Sequence, residues 1–262
     1  MHSITGVLAG DRFNIIRNHE FVDPVSSRFF MRTEFTGDAD RTPLCESVRR
    51  LLPDGAHVRV LELEPRSIVV LATKEHHCLA EILIRHAYGE LAANVQAVIS
   101  NHELLAPLAR RFEIPFHHAP YDGGRREDHE AALASYIDRY APDWIILAKY
   151  MRILSPQFVE RYGGRIINIH HSFLPAFAGA DPYAQAFARG VKIIGATAHF
   201  VTAELDGGPI IAQSVIPIDH TQSPRELAQA GRDIEKLVLA RALTLVLEER
   251  VFVAGNKTVI FD

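Results

Sequence analysis

Cysteine, tryptophan and long apolar runs are scarce in this 262-residue sequence, which has two cysteines and one tryptophan. Cys45 and Cys78 stand apart, so neither the CxxC spacing of a zinc or redox site nor the density of a disulfide scaffold is present. We expect reduced thiols in a cytoplasmic protein. No run of about eighteen apolar residues occurs, and residues 1–5 lack the basic flank of a signal peptide. The sequence therefore predicts no membrane span and no secretion.

Positive charge is also in short supply. The 28 lysines and arginines are outnumbered by 32 aspartates and glutamates, which gives a formal net charge of -4. Binding to nucleic acid depends on a basic surface, and these totals do not supply one. We therefore predict no nucleic-acid partner and no membrane partner.

Histidine, a residue type that often binds metal ions, is abundant in this sequence, with 14 residues. Six of them form adjacent pairs, whose side chains point to opposite faces of a strand or about 100° apart on a helix. These pairs are His76-His77, His117-His118 and His170-His171. The sequence has no HExxH motif and no Cys/His knuckle, which are spacings typical of zinc sites. We predict no metal site.

Residues 1–64 are predicted to form a small ferredoxin-like α+β domain that lacks its first strand. Strands are predicted at 13–21, 28–35 and 57–63. Residues 40–52 predict a helix, with Thr42 as its N-cap and Pro43 at the first helical position. Because the first strand lies centrally in a ferredoxin-like sheet, we expect two strand edges to lack a partner within the chain.

Residues 67–262 are predicted to form a Rossmann-like α/β domain. Strands are predicted at 67–72, 95–100, 115–118, 144–148 and 165–170, and helices at 75–88, 102–112 and 126–140. This alternation implies right-handed βαβ units and a mostly parallel, doubly wound sheet. Ser223 and Glu226 form a capping box that opens a helix running to residue 249. The apolar stripe of this helix includes Ile234, Leu237 and Val238. A hairpin is predicted after it.

The strand at residues 165–170 carries two polar side chains that face the same way. Asn168 and His170 are two residues apart, so they share one face of the strand, while Ile167 and Ile169 share the other. The strand ends before Pro175, which has no backbone N–H to donate to a neighbouring strand. In open α/β sheets, ligands bind in the crevice beyond the carboxyl ends of the strands. Asn168 and His170 are therefore candidate site residues.

A carboxylate is predicted to join them. A second apolar strand, residues 192–201, leads to Asp206, which stands before Gly207-Gly208-Pro209 on a tight connection. An amide donor, an imidazole and a carboxylate are the groups needed for attack by water or an amine on an acyl carbon, without a serine or cysteine nucleophile. A strand-end cap, interior histidines and an ordinary Asp-Gly turn are the structural alternatives.

The order of these motifs resembles that of the folate-dependent formyltransferase family. Asn-x-His, Ser172-Phe173-Leu174-Pro175, a strand ending at Thr202 and Leu205–Pro209 follow one another as in that family. The resemblance covers essentially the whole chain and is strongest to the branch with an N-terminal ACT domain. Its hallmarks here are residues 18–23, 28–34, 148–154 and 251–253 and the double histidine His170-His171. The first domain is then an incomplete ACT domain, without the loop after the first strand that binds small regulators, so we do not expect amino-acid regulation.

The resemblance implies a cytoplasmic enzyme of one-carbon and purine metabolism that uses 10-formyltetrahydrofolate. Asn168 would bind the formyl oxygen, and His170, protonated and paired with Asp206, would stabilise the oxyanion while Asp206 relays a proton. The folate would lie in a pocket formed by Ile146, Leu147, Met151, Arg152, Leu154, His199, Val201, Thr202 and Leu205. Core packing is the alternative for Met151 and Leu154, and an ion pair is the alternative for Arg152. The folate is substrate, so no cofactor is expected, and by analogy the enzyme is a homo-oligomer.

The acceptor of the formyl group is predicted from the turn after the strand at residues 67–72. In the transformylase that uses glycinamide ribonucleotide, a glycine-rich loop at this place holds the phosphate of the acceptor. Residues 71–78 contain no glycine, and Glu75 places a negative charge there. Water is the expected acceptor, so the predicted reaction is hydrolysis. Formyl transfer to an amine and a non-catalytic folate or amino-acid sensor remain as alternatives.

Overall fold

The computed structural model describes residues 2–10, 13–37, 40–121, 123–175 and 182–262. Residues 176–181, in the middle of the predicted site segment, therefore lie outside the description. The chain forms two compact units. One contains the described residues up to Glu64 together with Phe261 and Asp262, and the other spans Pro65–Ile260. No helix within the described ranges has both the length and the apolar character needed to cross a bilayer.

The first unit is a two-stranded antiparallel sheet with two helices. Its elements are α1 (His2–Gly10), β1 (Asn14–Val22), β2 (Phe29–Thr36) and α2 (Arg41–Arg49). The predicted N-cap at Thr42 is wrong. Asp40 is the N-cap, and its carboxylate accepts a hydrogen bond from the Thr42 backbone N–H at 3.1 Å. Aspartate is the stronger capping residue, so the cap lies two residues before the predicted one.

The strand predicted at residues 57–63 is not formed. The alternation is real, because Val58 and Val60 pack against a small cluster of Leu8, Leu44 and Val48. A strand also needs a neighbour to accept its backbone hydrogen bonds, and the described residues of this unit pair β1 only with β2. Side-chain burial alone therefore produced the pattern that suggested a strand.

The second unit is built on a seven-stranded sheet in the order β5-β4-β3-β6-β7-β8-β9. Its elements are β3 (Arg66–Ala72), α3 (His77–Ala87), β4 (Ala93–Ser100), a 3₁₀ turn (Glu103–Leu105), α4 (Ala106–Arg111), β5 (Phe116–His118), α5 (Arg126–Tyr140), β6 (Trp144–Ala148), α6 (Pro156–Arg161), β7 (Ile166–His170), α7 (Pro182–Arg189), β8 (Ile193–Phe200), β9 (Ile210–Pro217), α8 (Pro224–Leu247) and the hairpin β10 (Val251–Ala254) and β11 (Lys257–Ile260). The predicted Rossmann-like α/β architecture is confirmed.

Strand direction changes within this sheet. Strands β5, β4, β3, β6 and β7 are parallel, whereas β8 is antiparallel to both β7 and β9. The chain order reverses between β3 and β6, so that pair forms the topological switch point.

Each face of the sheet has its own core. On one face, α3 and α8 cover a cluster that includes Ile146, Ile167 and Ile169. On the other, α5 and α6 cover Leu147 and Ile166. Strands buried on both faces are continuously apolar, as β3 is from Ile68 to Ala72. A polar residue in such a strand stands out, and β7 carries two.

Candidate active site

Asn168 and His170 lie on the same face of β7, as predicted. Ile167 and Ile169, between and beside them, pack in the core under α3 and α8. The strand pairs with β6 through Leu147 and Asn168 and ends at His170. The two polar side chains are therefore held at the carboxyl end of a strand inside the sheet.

His199 is fixed opposite Asn168 by the antiparallel register of β7 and β8. Asn168 Nδ2 lies 3.2 Å from His199 Nε2, and His199 Nδ1 lies 2.9 Å from the Phe200 carbonyl oxygen. Because Nδ1–H donates to this carbonyl, Nε2 carries the lone pair and accepts from the Asn168 amide. An amide group has two N–H donors, so Asn168 keeps one for another acceptor.

Asp206 reaches the same face from the connection between β8 and β9. Its backbone is in the left-handed region, with φ of 54°, and the loop closes with a hydrogen bond from Phe200 N–H to Pro209 O at 2.9 Å. A Cβ on Gly208 would lie 1.8 Å from the Phe200 carbonyl oxygen, so only glycine allows this approach. Tight loop closure therefore sets the position of the carboxylate.

The Asp206 carboxylate pairs with His170. Oδ2 lies 3.3 Å from His170 Nδ1, whereas Oδ1 lies 3.7 Å from His199 Nε2, which is too long for a hydrogen bond. The hydrogen bond to His170 holds the pKa of Asp206 well below its usual range. Asp206 is therefore ionised at neutral pH.

The other ring nitrogen of His170 is available for a reaction. His170 is 5% exposed, and its Nε2 atom is buried without a hydrogen-bond partner among the described residues. A buried polar atom of this kind costs free energy unless a ligand satisfies it. The atom therefore marks a position for a substrate oxygen or water.

His171 lies directly beside this pair. Its ring centroid is 4.9 Å from that of His170 and 6.2 Å from that of Tyr183. Burial, followed by the charge of Lys149, lowers the pKa of His171 to about 4. The His171 imidazole is therefore neutral at pH 7.

The turn after β7 is held by Thr197 and Gln213, which the sequence reasoning did not single out. The Thr197 hydroxyl donates to Ser172 O at 2.9 Å and accepts from Leu174 N–H at 3.1 Å. Gln213 Nε2 donates to Leu174 O at 3.0 Å and to the Thr197 hydroxyl at 2.9 Å. These bonds fix the chain immediately after the two histidines. Both residues lie on strands whose alternation does not distinguish them, so the sequence held no signal for them.

The predicted folate-binding residues are only partly brought together. Leu147, Leu154 and Val201 belong to the core on the face of Asn168. Ile146 is fully buried on the opposite face, so its side chain cannot line this pocket. Of the other predicted residues, His199 is buried beside Asn168. Met151 and Leu205 are exposed, Thr202 Oγ1 donates to Glu204 O, and the Arg152 guanidinium stacks on Tyr121 at 4.5 Å.

A cavity of about 250 Å³ adjoins these residues. Its lining comprises Tyr121, Arg126, His129, Glu130, Tyr150, Met151, Arg152, Ile153 and Leu154. His129 Nε2 lies 2.8 Å from the Tyr150 hydroxyl, and Glu130 accepts from Ser155 N–H at 2.6 Å. Aromatic walls and two guanidinium groups suit a flat, anionic ligand. Tyr150 lies within the hallmark residues 148–154, whereas nothing in the sequence distinguished Tyr121 or His129.

A buried polar network, also unpredicted, lies on the α3 and α8 face. Glu235, in the middle of α8, is 0% exposed. Its carboxylate accepts from Tyr183 OH at 2.5 Å and from Lys149 Nζ at 3.3 Å, and lies 2.6 Å from His77 Nε2. A Cβ on Gly231 would lie 2.1 Å from Cζ of Tyr183, so this glycine admits the phenol ring. The one sequence signal was a charged residue beside an apolar stripe.

This region also contains three residues whose potential metal-binding atoms lie within 4.8 Å of one another, namely His77, Cys78 and Glu235. No other such group occurs among the described residues. The three residues do not fit a metal ion well. The Glu235 carboxylate already has three partners, and burial, followed by the charge of Glu235, raises the pKa of the Cys78 thiol well above its ordinary value. A neutral thiol is a poor ligand. The absence of a metal site stays a prediction.

Comparison with known proteins identifies the family. Residues 66–243 match the family model described as Formyl transferase. Formyltetrahydrofolate deformylase of Haemophilus influenzae is 52% identical over 98% of this chain and 92% of its own length, and that of Escherichia coli K12 is 52% identical over 98% and 92%. The crystal structure of a formyltetrahydrofolate deformylase from Pseudomonas syringae pv. tomato, 40% identical, superposes with a TM-score of 0.94 over 99% of this chain and 89% of that one. The chain therefore belongs to the formyl transferase family and, within it, to the formyltetrahydrofolate deformylases.

Proposed function

We propose that the protein hydrolyses 10-formyltetrahydrofolate to tetrahydrofolate and formate, the reaction after which its relatives are named. The observation that carries the proposal is the pairing of Asp206 with His170 Nδ1, which leaves His170 Nε2 buried and unpartnered among the described residues. Asn168, with one free N–H, stands on the same face of the same strand. A formyl oxygen would satisfy both groups.

In the proposed reaction, water attacks the formyl carbon and a tetrahedral intermediate forms. The Asn168 amide and the protonated His170 imidazole donate hydrogen bonds to the developing oxyanion, an interaction that is strongest in the transition state. His199 orients Asn168 by accepting its other N–H. Asp206 stabilises the positive charge on His170 through the contact of 3.3 Å.

Asp206 is also the proposed proton carrier. Its carboxylate accepts a proton from the attacking water and passes it to the folate nitrogen as the C–N bond breaks, which gives tetrahydrofolate and formate. The hydrogen bond to His170 that depresses the pKa of Asp206 makes the carboxyl group a ready proton donor to an amine nitrogen. The carboxylate is thus regenerated in each cycle.

The folate is proposed to lie on the Asn168 face, between the core residues Leu147, Leu154 and Val201 and the cavity beside Arg152. Met151 and Leu205, whose side chains are exposed, would be covered by the ligand. Arg152 would pair with a carboxylate of the substrate. His199 supports the pocket through Asn168, and Thr202 through the connection that carries Asp206.

Water is the proposed acceptor because the turn after β3 offers no cradle for a phosphate. Residues 71–78 contain no glycine. The helix that follows begins at His77, and the Glu75 carboxylate lies 3.5 Å from the Nδ1 atom of this residue. An anion at this helix start would meet a negative charge.

The test is incubation of the pure protein with 10-formyltetrahydrofolate in the absence of any amine, with tetrahydrofolate and formate both quantified. We expect the two products in equal amounts. Millimolar glycinamide ribonucleotide should neither inhibit formate release nor become formylated. Stoichiometric appearance of the formylated ribonucleotide would replace hydrolysis by formyl transfer.

The remaining expectations are part of the proposal. We propose that the first unit is an ACT-like domain and that the protein is a homo-oligomer, as the resemblance implies. Light scattering after gel filtration would detect the homo-oligomer, and a monomer would contradict it. Cytoplasmic location and the absence of a cofactor stay predictions from the sequence.

A further inference from the structure

The buried network around Glu235 joins three connections at the carboxyl edge of the sheet. His77 opens α3 after β3, Lys149 is the first residue after β6, and Tyr183 lies in the first turn of α7. All three meet the carboxylate of Glu235. Lys149 and Glu235 have side-chain exposures of 3% and 0%. A charged cluster of this kind is costly to bury, so its position needs an explanation.

The network occupies the crevice in which sheets of this type bind ligands. The strand order reverses between β3 and β6, and ligands bind beyond the carboxyl ends of strands at such a switch point. Lys149 turns there with φ of 60°, an unfavourable conformation for a residue with a Cβ. This turn accompanies a side chain that reaches Glu235 on α8. The crevice on this face is therefore filled by the protein's own side chains.

This filled crevice adjoins the proposed catalytic groups. The strands β6 and β7 are in register at Leu147 and Asn168, so Lys149 and His170 both lie two residues further on. His171 is near a member of each group, because its ring centroid lies 4.9 Å from that of His170 and 6.2 Å from that of Tyr183. With folate on the Asn168 face, the α3 and α8 face is the side from which an acceptor would approach.

We propose that Lys149, Glu235, His77 and Tyr183 determine the acceptor by filling the space that an amine would need beside the formyl group. The inference rests on the proposed function. Water is small enough to reach the formyl carbon, and an aliphatic amine is not. If the crevice is opened, the amine nitrogen bonds to the formyl carbon, the bond to the folate nitrogen breaks, and the amine proton passes to that nitrogen. The products are then tetrahydrofolate and an N-formyl amine, and no other reactant is required.

The test compares two opening substitutions with matched controls, using glycinamide as the amine. Lys149→Gly removes the side chain and suits the positive φ, whereas Lys149→Met removes the charge and keeps the volume. Tyr183→Ala opens the crevice from α7 without removing either member of the Lys149–Glu235 ion pair, whereas Tyr183→Phe keeps the ring. Each variant is first checked for folding by near-UV circular dichroism. Formate, tetrahydrofolate and N-formylglycinamide are then quantified.

Wild type, Lys149→Met and Tyr183→Phe should release formate equal to tetrahydrofolate at every glycinamide concentration. In Lys149→Gly and Tyr183→Ala, N-formylglycinamide should replace formate as glycinamide rises, with the two formyl products adding up to tetrahydrofolate. The inference is overturned if a folded opening variant releases only formate, or if Lys149→Met formylates glycinamide. Failure of the wild type to release formate without an amine would instead overturn the proposed hydrolysis.

Discussion

Asp206 must satisfy a conformational demand and a chemical one. Its φ of 54° lies in the left-handed region, which aspartate and asparagine tolerate better than most residues. Its carboxylate must face His170 at 3.3 Å. Asparagine would meet the first demand and fail the second, so the substitution separates them.

Asp206→Asn should therefore lower kcat by roughly 10²–10⁴ while the affinity for folate changes by a few-fold at most. The amide keeps the shape of the loop but neither carries a proton nor stabilises a positive charge on His170. Steady-state kinetics and equilibrium folate binding provide the measurements. Turnover near that of the wild type would exclude Asp206 from the mechanism.

Gly231 and Gly6 predict opposite effects of the same substitution. A Cβ on Gly231 would lie 2.1 Å from Cζ of Tyr183. A Cβ on Gly6 would have no described atom within 4 Å beyond its chain neighbours and the nearby backbone of its own helix. Gly231→Ala should destabilise the protein by about 1–3 kcal/mol, because the phenol must leave Glu235. Gly6→Ala should stabilise its helix by about 0.5–1 kcal/mol.

Chemical denaturation of both variants measures whether the free energy of unfolding falls in Gly231→Ala and rises in Gly6→Ala. Destabilisation by Gly6→Ala would show that helix propensity does not govern α1. A stable Gly231→Ala variant with an intact Tyr183 contact would show that the ring has room to move.

Helix α8 shows what periodicity predicts and what it misses. The predicted stripe placed Ile234, Leu237 and Val238 inward. Ile234 and Val238 are buried, but Leu237 is 60% exposed. Glu235 takes an inward position instead and is completely buried. A spacing rule cannot anticipate this, because Glu235 depends on partners that are 52, 86 and 158 residues away in sequence.

The start of α8 was predictable, because a capping box is local. Ser223 accepts from Glu226 N–H, and the Glu226 carboxylate accepts from Ser223 N–H at 2.7 Å. We expect Ser223→Ala to cost about 1 kcal/mol, or roughly 2–4 °C in the melting temperature of a chain of this size.

Ser223→Asp is the control, since it keeps a capping oxygen and should melt close to the wild type. Equal losses for Ala and Asp would mean that the hydroxyl has a role other than capping.

Strands were predictable where burial and pairing coincide. Residues 67–72 and 144–148 were predicted as strands and form β3 and β6, with each end within one residue. Residues 57–60 alternate in burial, but no strand of the described residues pairs with them. At the site, the face shared by Asn168 and His170 followed from strand geometry alone. The partnership of Asn168 with His199 required the register between β7 and β8, which one sequence does not contain.

At the scale of the whole molecule, buried histidine links stability to pH. Folding lowers the pKa of His171 from 6.5 to about 4, chiefly through burial. Between these values the unfolded chain binds a proton that the folded chain does not, so stability rises with pH across this window. The contribution is complete above pH 6.5 and is lost as the pH falls towards 4.

Urea unfolding at pH 7 and pH 5 should therefore show a decrease in the free energy of unfolding, of which His171 accounts for up to about 2 kcal/mol. In His171→Asn the decrease should be smaller by that amount. An identical decrease in both proteins would remove His171 from the linkage.

The antiparallel pairing of β7 with β8 restricts which insertions and deletions the protein can accept during evolution. Asn168 and His199 meet because they share one rung of the ladder. Loss or gain of one residue within β8 would shift the rung and turn His199 to the opposite face of the sheet. We therefore expect homologous sequences to have no insertions or deletions within β7 and β8, even at positions where the side chains vary. They should accumulate instead in segments such as 57–63, where no strand pairing constrains the number of residues.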